Sequence, residues 1–290
     1  MNPIAKPPSL FTFGCMSLGK DLARLNDHIH VARTAMDAGV WFHASPTYNR
    51  GFTYMVLRMA FDEARHQVPP MIVKIRCGTP RLLRFEVEDA LGRMKLDRID
   101  VAQLVFTETG GYKPVVEDFA RGGPIAQACD QLRQEGKVVQ FCPQVDVESS
   151  PGFLPITEKF DGFLIYLNPL QRDADDAMWA HLQKKGTPLW ALRTLAGAAG
   201  EPDRLELRRK ETAPDSTHAK AEKMVALSNE IGCKDWTEFC VRYAMTEPHL
   251  LTTIGGTGDL GHLNEFLSAA SNPQPLPVDV MDQIDAIRRG

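Results

Sequence analysis

The chain has 290 residues, 43% hydrophobic and 24% charged, with a formal net charge of −4. The small negative charge and the lack of a long Lys/Arg run argue against nucleic acid or an anionic membrane as partner. No apolar run reaches the roughly 18 residues of a membrane span. Met1 to Phe13, with Pro3, Pro7 and Pro8, lacks the apolar stretch of a secretion signal.

Leu10 to Phe13 reads as a strand running into the Gly-flanked turn Gly14–Gly19. Asn26 or Asp27 is placed to cap a helix whose Ile29, Ala32 and Met36 share one face; Gly39 ends it. Val40-Trp41-Phe42 is the first strong strand, with His43 at its end, a turn at Pro46 and then Tyr48. A helix follows over about 53–65. Met71 to Ile75 is a strand interrupted by Lys74, which is costly in a core unless the side chain has a use there. Leu83, Val87, Ala90, Leu91 and Met94 mark one helix face, and Ile99 to Val105 is the next strand. Gly110-Gly111 opens a loop. Helix over 125–134, strand over 138–141, short helix over 154–159 and strand over 163–166 follow.

Beyond these come helix 173–184, strand 188–192 and a charged surface segment, 201–216, containing Arg208-Arg209-Lys210. Helices over 219–231 and 236–245 lead to the strand Leu250–Ile254. The turn Gly255-Gly256-Thr257-Gly258-Asp259 enters a helix over 260–269, and a terminal helix follows a Pro-containing linker. Strands alternating with helices over the whole length predict parallel βαβ units. About eight such units predict a closed (β/α)8 TIM barrel, one domain over residues 1–290. An open doubly wound sheet is the runner-up, and its G-x-G-x-x-G fingerprint after the first strand is absent. Cys15, Cys77, Cys129, Cys142, Cys233 and Cys240 form no CxxC pair. Reduced thiols, no metal site and a cytoplasmic protein are therefore expected.

Six segments in order resemble the aldo-keto reductases. Gly14-Cys15-Met16-Ser17-Leu18-Gly19 is similar to that family's G-T-M-S-L-G. His43-Ala44-Ser45-Pro46-Thr47-Tyr48 lies over D-T-A-x-x-Y, and Val73-Lys74 over its strand-borne Lys. Leu96 to Asp100 is similar to L-x-x-D-Y-I-D, and Glu135-Gly136-Lys137-Val138 to E-G-K-I. Ile254-Gly255-Gly256-Thr257, with His262 to Glu265, resembles the I-P-G-x segment that holds the cofactor's adenosine phosphate.

The resemblance implies hydride transfer between a nicotinamide cofactor and a small carbonyl or alcohol substrate. NADPH is expected before NADH by family habit, and a chain that binds neither is the third alternative. Tyr48 is the implied proton donor and Lys74 the cation that lowers its pKa, because an ordinary phenol near pKa 10 is a poor acid at neutrality. The family's Asp is His43 here and its carbonyl-orienting His is Val105, so that donor comes from elsewhere, Gln103 and Glu108 being candidates, or a ketone is not oriented in this way. The implied cofactor contacts are Gly14, Cys15, Met16, Arg193, Gly256, Thr257, Gly258, His262 and Glu265. The family's nicotinamide-side amides fall on Gln144 and Leu164. Gly256 to Gly258 at a helix N-terminus can hold a phosphate through backbone N–H groups. Trp41, Phe106 and Tyr112 are expected to line the substrate pocket. Two rivals remain open: a redox-neutral lyase or isomerase using Tyr48, Lys74 and His43, and a non-catalytic binding or regulatory barrel. Oligomeric state is not legible.

Overall fold

Among the described residues, nine strands alternate with the helices: β1 (Phe11–Gly14), β2 (Trp41–Ala44), β3 (Met71–Arg76), β4 (Ile99–Val105), β5 (Val138–Val145), β6 (Phe163–Asn168), β7 (Gln171–Arg172), β8 (Leu189–Leu192) and β9 (Leu250–Gly256). The structure is a computed structural model describing residues 7, 9–106, 111–196 and 215–290. All but β7 are parallel, and the order β5-β4-β3-β2-β1-β9-β8-β6 closes through β5–β6 pairing. The barrel is therefore an eight-stranded parallel (β/α)8 barrel. The two-residue β7 lies antiparallel on β6. Among the described residues no helix is long and apolar enough to cross a membrane.

The helices start and stop where short-range chemistry says they should. Thr79 accepts the N–H of Leu82 to cap Pro80–Met94, with Pro80 in the first turn and Lys95 left-handed at its end. Asp175, Asp235 and Asp259 cap three later helices in the same way. The helix Lys113–Arg121 was not anticipated between Gly111 and the 124–134 helix. Its apolar signal is thin: only Val115 and Phe119 of its nine residues are buried. The Arg208-Arg209-Lys210 run and Glu108 lie outside the described residues.

Strand parity divides the core in two. One apolar cluster lies between the barrel and the helices. The other joins Trp41, Ile72, Val101, Cys142, Leu164, Trp190, Leu192 and Ile254 from the inner faces of seven strands. Trp41 therefore helps fill the barrel interior instead of lining the substrate pocket at its mouth, because it sits two residues below His43 on the inward side of β2. The same parity turns Lys74 inward, two residues above Ile72, so its long side chain reaches the mouth formed by the strands' C-terminal ends.

Candidate active site

Tyr48 is held by an unusual turn. Asn49, Arg50 and Gly51 take left-handed conformations in succession, with φ of 50°, 56° and 86°. Asn is among the side chains that tolerate this region best. Its amide also staples the turn, donating to the carbonyls of Met16 (2.7 Å) and Leu18 (2.8 Å). The loops after β1 and β2 are thereby tied together beneath Tyr48.

Tyr48, Lys74 and His43 do come together. Lys74 Nζ lies 5.2 Å from the Tyr48 ring centroid, over its face. The His43 ring meets Tyr48 edge-on at 6.2 Å. Burial and then the Lys74 charge bring the His43 pKa down to about 3, so its imidazole is neutral. Its Nε2 lies 2.7 Å from Gln103 Oε1; an amide oxygen only accepts, so Nε2 carries the hydrogen. Gln103 then donates through Nε2 to Gln144 Oε1 at 2.8 Å. Gln103 is fully buried and both ends of its amide are used. Its second amide hydrogen is the one donor it has left for replacing the hydrogen bond missing at Val105.

Burial pushes the Tyr48 phenol well above its ordinary value, and the opposing cation is Arg193. Lys74 is lowered to about 8, by burial first and then by the Arg193 charge. Among the described residues no carboxylate lies within ion-pair distance of Lys74. Arg76, two residues on, pairs with the buried Glu86.

Two cavities bear on the predicted site. One, of about 630 Å³, is lined by Lys74, Arg76, Val105, Phe106, Tyr112, Gln144 and Tyr166 among others. Phe106 and Tyr112 thus line a pocket as expected. The other, of about 390 Å³, is lined by Gly256, Thr257, Gly258, His262 and Glu265 together with Ser17, Lys20, Arg24 and His28. Gly14 pairs in register with Gly256 beside it.

Three expected cofactor contacts sit differently. Cys15 is fully buried, its thiol held near the Phe13 carbonyl and pushed far up by burial, so its side chain packs in the core. Met16 is 59% exposed on the turn and its carbonyl is already bonded to Asn49. Arg193 does not line the glycine-turn cavity. Its guanidinium stacks on Tyr166 at 4.3 Å, on the Lys74 side.

His28 was missed. Its Nδ1 accepts the Gly19 N–H at 3.1 Å, which leaves Nε2 as donor. That atom stands 3.1 Å from where a Cβ on Gly258 would be. The ring is 3% exposed and borders the smaller cavity. The available signal was its place with Val31, Ala32 and Ala35 on the buried helix face.

A scan of protein-family models and a search of curated proteins found no match to the sequence. Solved structures do match. An aldo/keto reductase from Klebsiella pneumoniae in complex with NADP and acetate superimposes with a TM-score of 0.72 at 16% identity, over 96% of this chain and 91% of that one. The holo form of an aldo-keto reductase from Bacillus halodurans gives 0.73 at 16% identity, over 96% and 91%. The chain has the fold of the aldo-keto reductases.

A thermostable aldo-keto reductase solved with the inhibitor epalrestat gives 0.71 at 16% identity, over 96% and 94%. Two residues near the expected cofactor positions now have a physical context. Leu164 belongs to the apolar cluster inside the barrel and offers no amide. Phe266 is buried, stacks on Phe11 at 4.7 Å, and fills the space beneath Gly255, where a Cβ would come within 2.2 Å of its ring.

Proposed function

We propose that the chain is a nicotinamide-dependent oxidoreductase of the aldo-keto reductase type, a single cytoplasmic barrel acting on a small carbonyl or alcohol. The observation that carries this reading is Lys74 over Tyr48 at the barrel mouth, with Lys74 lining the 630 Å³ cavity. The glycine turn suits a dinucleotide phosphate. Gly256 is exposed at the turn and lines the smaller cavity, so its backbone is open there. The helix Leu260–Ser271 begins beside it, and His28 Nε2 faces the same space. Thr257, Gly258, His262 and Glu265 would surround the phosphate end, with Gly14 and Met16 towards the ring. NADP(H) is the family's habit; NAD(H) is the alternative.

When bound, the cofactor supplies or accepts a hydride. Tyr48, kept protonated by burial, gives its proton to the carbonyl oxygen of a substrate in the larger cavity. Lys74, charged below about pH 8, steadies the phenolate left behind. Gln144 offers the remaining amide hydrogens where Val105 offers none. Its Oε1 is bonded to Gln103, which aims the NH₂ group. Binding of NADPH and NADH, followed by Trp fluorescence quenching and calorimetry, tests this. Micromolar binding, with carbonyl reduction abolished by Tyr48→Phe, is expected; no binding of either at millimolar concentration refutes it. A redox-neutral use of the same rim has one observation in its favour, the absence of a carboxylate beside Lys74 among the described residues.

A further inference from the structure

We propose that Lys74 is a carbonyl-condensing amine, forming an iminium with small oxo acids in the 630 Å³ cavity. This does not rest on nicotinamide binding. Lysines on enzyme surfaces are charged and unreactive; an amine becomes a nucleophile when it is desolvated and placed near another cation instead of an anion. Among the described residues no carboxylate lies within ion-pair distance of Lys74; Glu86, Asp146 and Glu148 also line the cavity, Glu86 being paired with Arg76. Lys74 extends from the inner face of β3 into the cavity, half-buried, with its ammonium over an aromatic face. The position that would hold a carboxylate partner is His43, neutral and engaged with Gln103. The nearby cation is Arg193, whose charge reaches Lys74 and Tyr48. The lowered Lys74 pKa is a consequence of this geometry and agrees with it.

Arg193 also selects the substrate class. It is exposed, stacked on Tyr166 of the same cavity, and without a carboxylate in ion-pair distance among the described residues. Its φ of 53° is a left-handed conformation that costs a non-glycine residue energy. Asn168 holds that turn by donating to the Arg193 carbonyl at 3.0 Å. Arg76, by contrast, is neutralised by Glu86. A carboxylate on the carbonyl compound would satisfy Arg193 while its carbonyl carbon faces Lys74.

The step balances without a redox partner. The neutral Lys74 amine attacks the carbonyl carbon, the C–N bond forms, and the C=O π pair moves to oxygen, which takes up a proton. That first proton is the one nitrogen sheds as the carbinolamine forms; the hydroxyl then leaves as water with one proton from solvent, and nitrogen keeps its remaining proton and the positive charge of the iminium. That iminium withdraws electrons from the neighbouring carbon and makes its protons exchangeable.

The test is reductive trapping of the full-length protein with pyruvate and borohydride, read by intact mass and peptide mapping. One equivalent at Lys74 is expected, absent in Lys74→Arg, with exchange of pyruvate methyl protons into D₂O lost in the same variant. Acetone, with the same carbonyl and no carboxylate, should react at least about tenfold more slowly, as should pyruvate with Arg193→Met, the usual scale for one charge-assisted contact. Mapping on the unaltered protein needs no variant to fold. Modification of Lys74 no faster than that of exposed Lys95 overturns the proposal. Equal trapping of acetone and pyruvate overturns the oxo-acid assignment.

Discussion

Replacing His43 by Asp should convert the rim from one chemistry to the other. His43 is buried, and its neutral ring contributes no charge to offset the desolvation of Lys74. At an effective dielectric near 20, a carboxylate and an ammonium about 5 Å apart attract by about 3 kcal/mol. That is enough to return Lys74 from about 8 to its ordinary 10.5. The other groups facing Lys74 stay as they are: Tyr48, Tyr166, Arg193 and the Arg76–Glu86 pair. Gln103 can turn its amide to donate to the new carboxylate, and a buried pair of this kind is close to neutral for stability when its hydrogen bonds are met. The assay is the pH profile of Lys74 followed by NMR on ¹³C-dimethylated protein, beside the borohydride trap. His43→Asp should move the midpoint up to near 10 and slow trapping at neutral pH by roughly a hundredfold, at ten per 1.4 kcal/mol; His43→Asn should do neither. A midpoint that stays near 8 in His43→Asp would refute the claim that residue 43 governs Lys74.

Acid stability should carry a signature of His43. Its folded pKa, about 3, is below the unfolded 6.5, so the unfolded chain binds the extra proton between those values. Stability is then lost as pH falls from 6.5 to 3, by up to about 1.4 kcal/mol per pH unit from this group; urea titrations of His43→Gln should show a flatter profile there. Asn49→Ala removes the donations to Met16 and Leu18 and a favoured left-handed residue. A loss of about 2–3 kcal/mol in denaturant melts is expected, with Tyr48-dependent activity falling further than stability. Asp259 caps its helix by accepting the His262 N–H at 3.1 Å, and so sets a carboxylate at the glycine-turn cavity. Asp259→Asn keeps the cap and deletes the charge; NADPH should gain about tenfold over NADH in calorimetric titration.

The barrel was legible because its signal is repeated: each strand-and-helix unit carries its own periodicity, and errors in one do not spread to the next. Side-chain direction at the rim was less so. Lys74 was singled out because a lysine in an apolar strand is anomalous, and its ammonium lies over the Tyr48 ring. Trp41 was misjudged by strand parity, since an aromatic residue two positions before a site residue lies one layer deeper inside a barrel. Arg193 was assigned to the cofactor's phosphate from its place in the chain. A left-handed backbone sends its side chain to Tyr166, and an isolated φ leaves no pattern in the residues around it. His28 escaped because its function lies in one ring nitrogen, and which nitrogen is free depends on Gly19, nine residues away. The Lys113–Arg121 helix presents too few buried residues for a periodic signal.

The glycine run 255–258 drew attention as a phosphate cradle, yet its glycines answer to different constraints. Gly255 is required by Phe266, which would meet a Cβ at 2.2 Å, and Gly256 by the Gly14 carbonyl at 2.6 Å. Both are matters of packing between β1, β9 and the following helix, and would hold in a barrel that binds nothing. Gly258 differs: a Cβ there would stand 3.1 Å from His28 Nε2 and 3.4 Å from Ser17, at the cavity itself. Gly255→Ala should therefore cost about 1–3 kcal/mol through overpacking while leaving the affinity of the folded protein for cofactor unchanged. Gly258→Ala should melt close to the unaltered protein and weaken cofactor binding about tenfold, because the new methyl stands between the phosphate and the His28 donor. Calorimetry and thermal melts on the pair separate the two roles. If Gly255→Ala lost affinity in proportion to stability and Gly258→Ala lost neither, the run would be scaffolding alone, and the nicotinamide reading would lose its best structural support while the Lys74 amine kept its own.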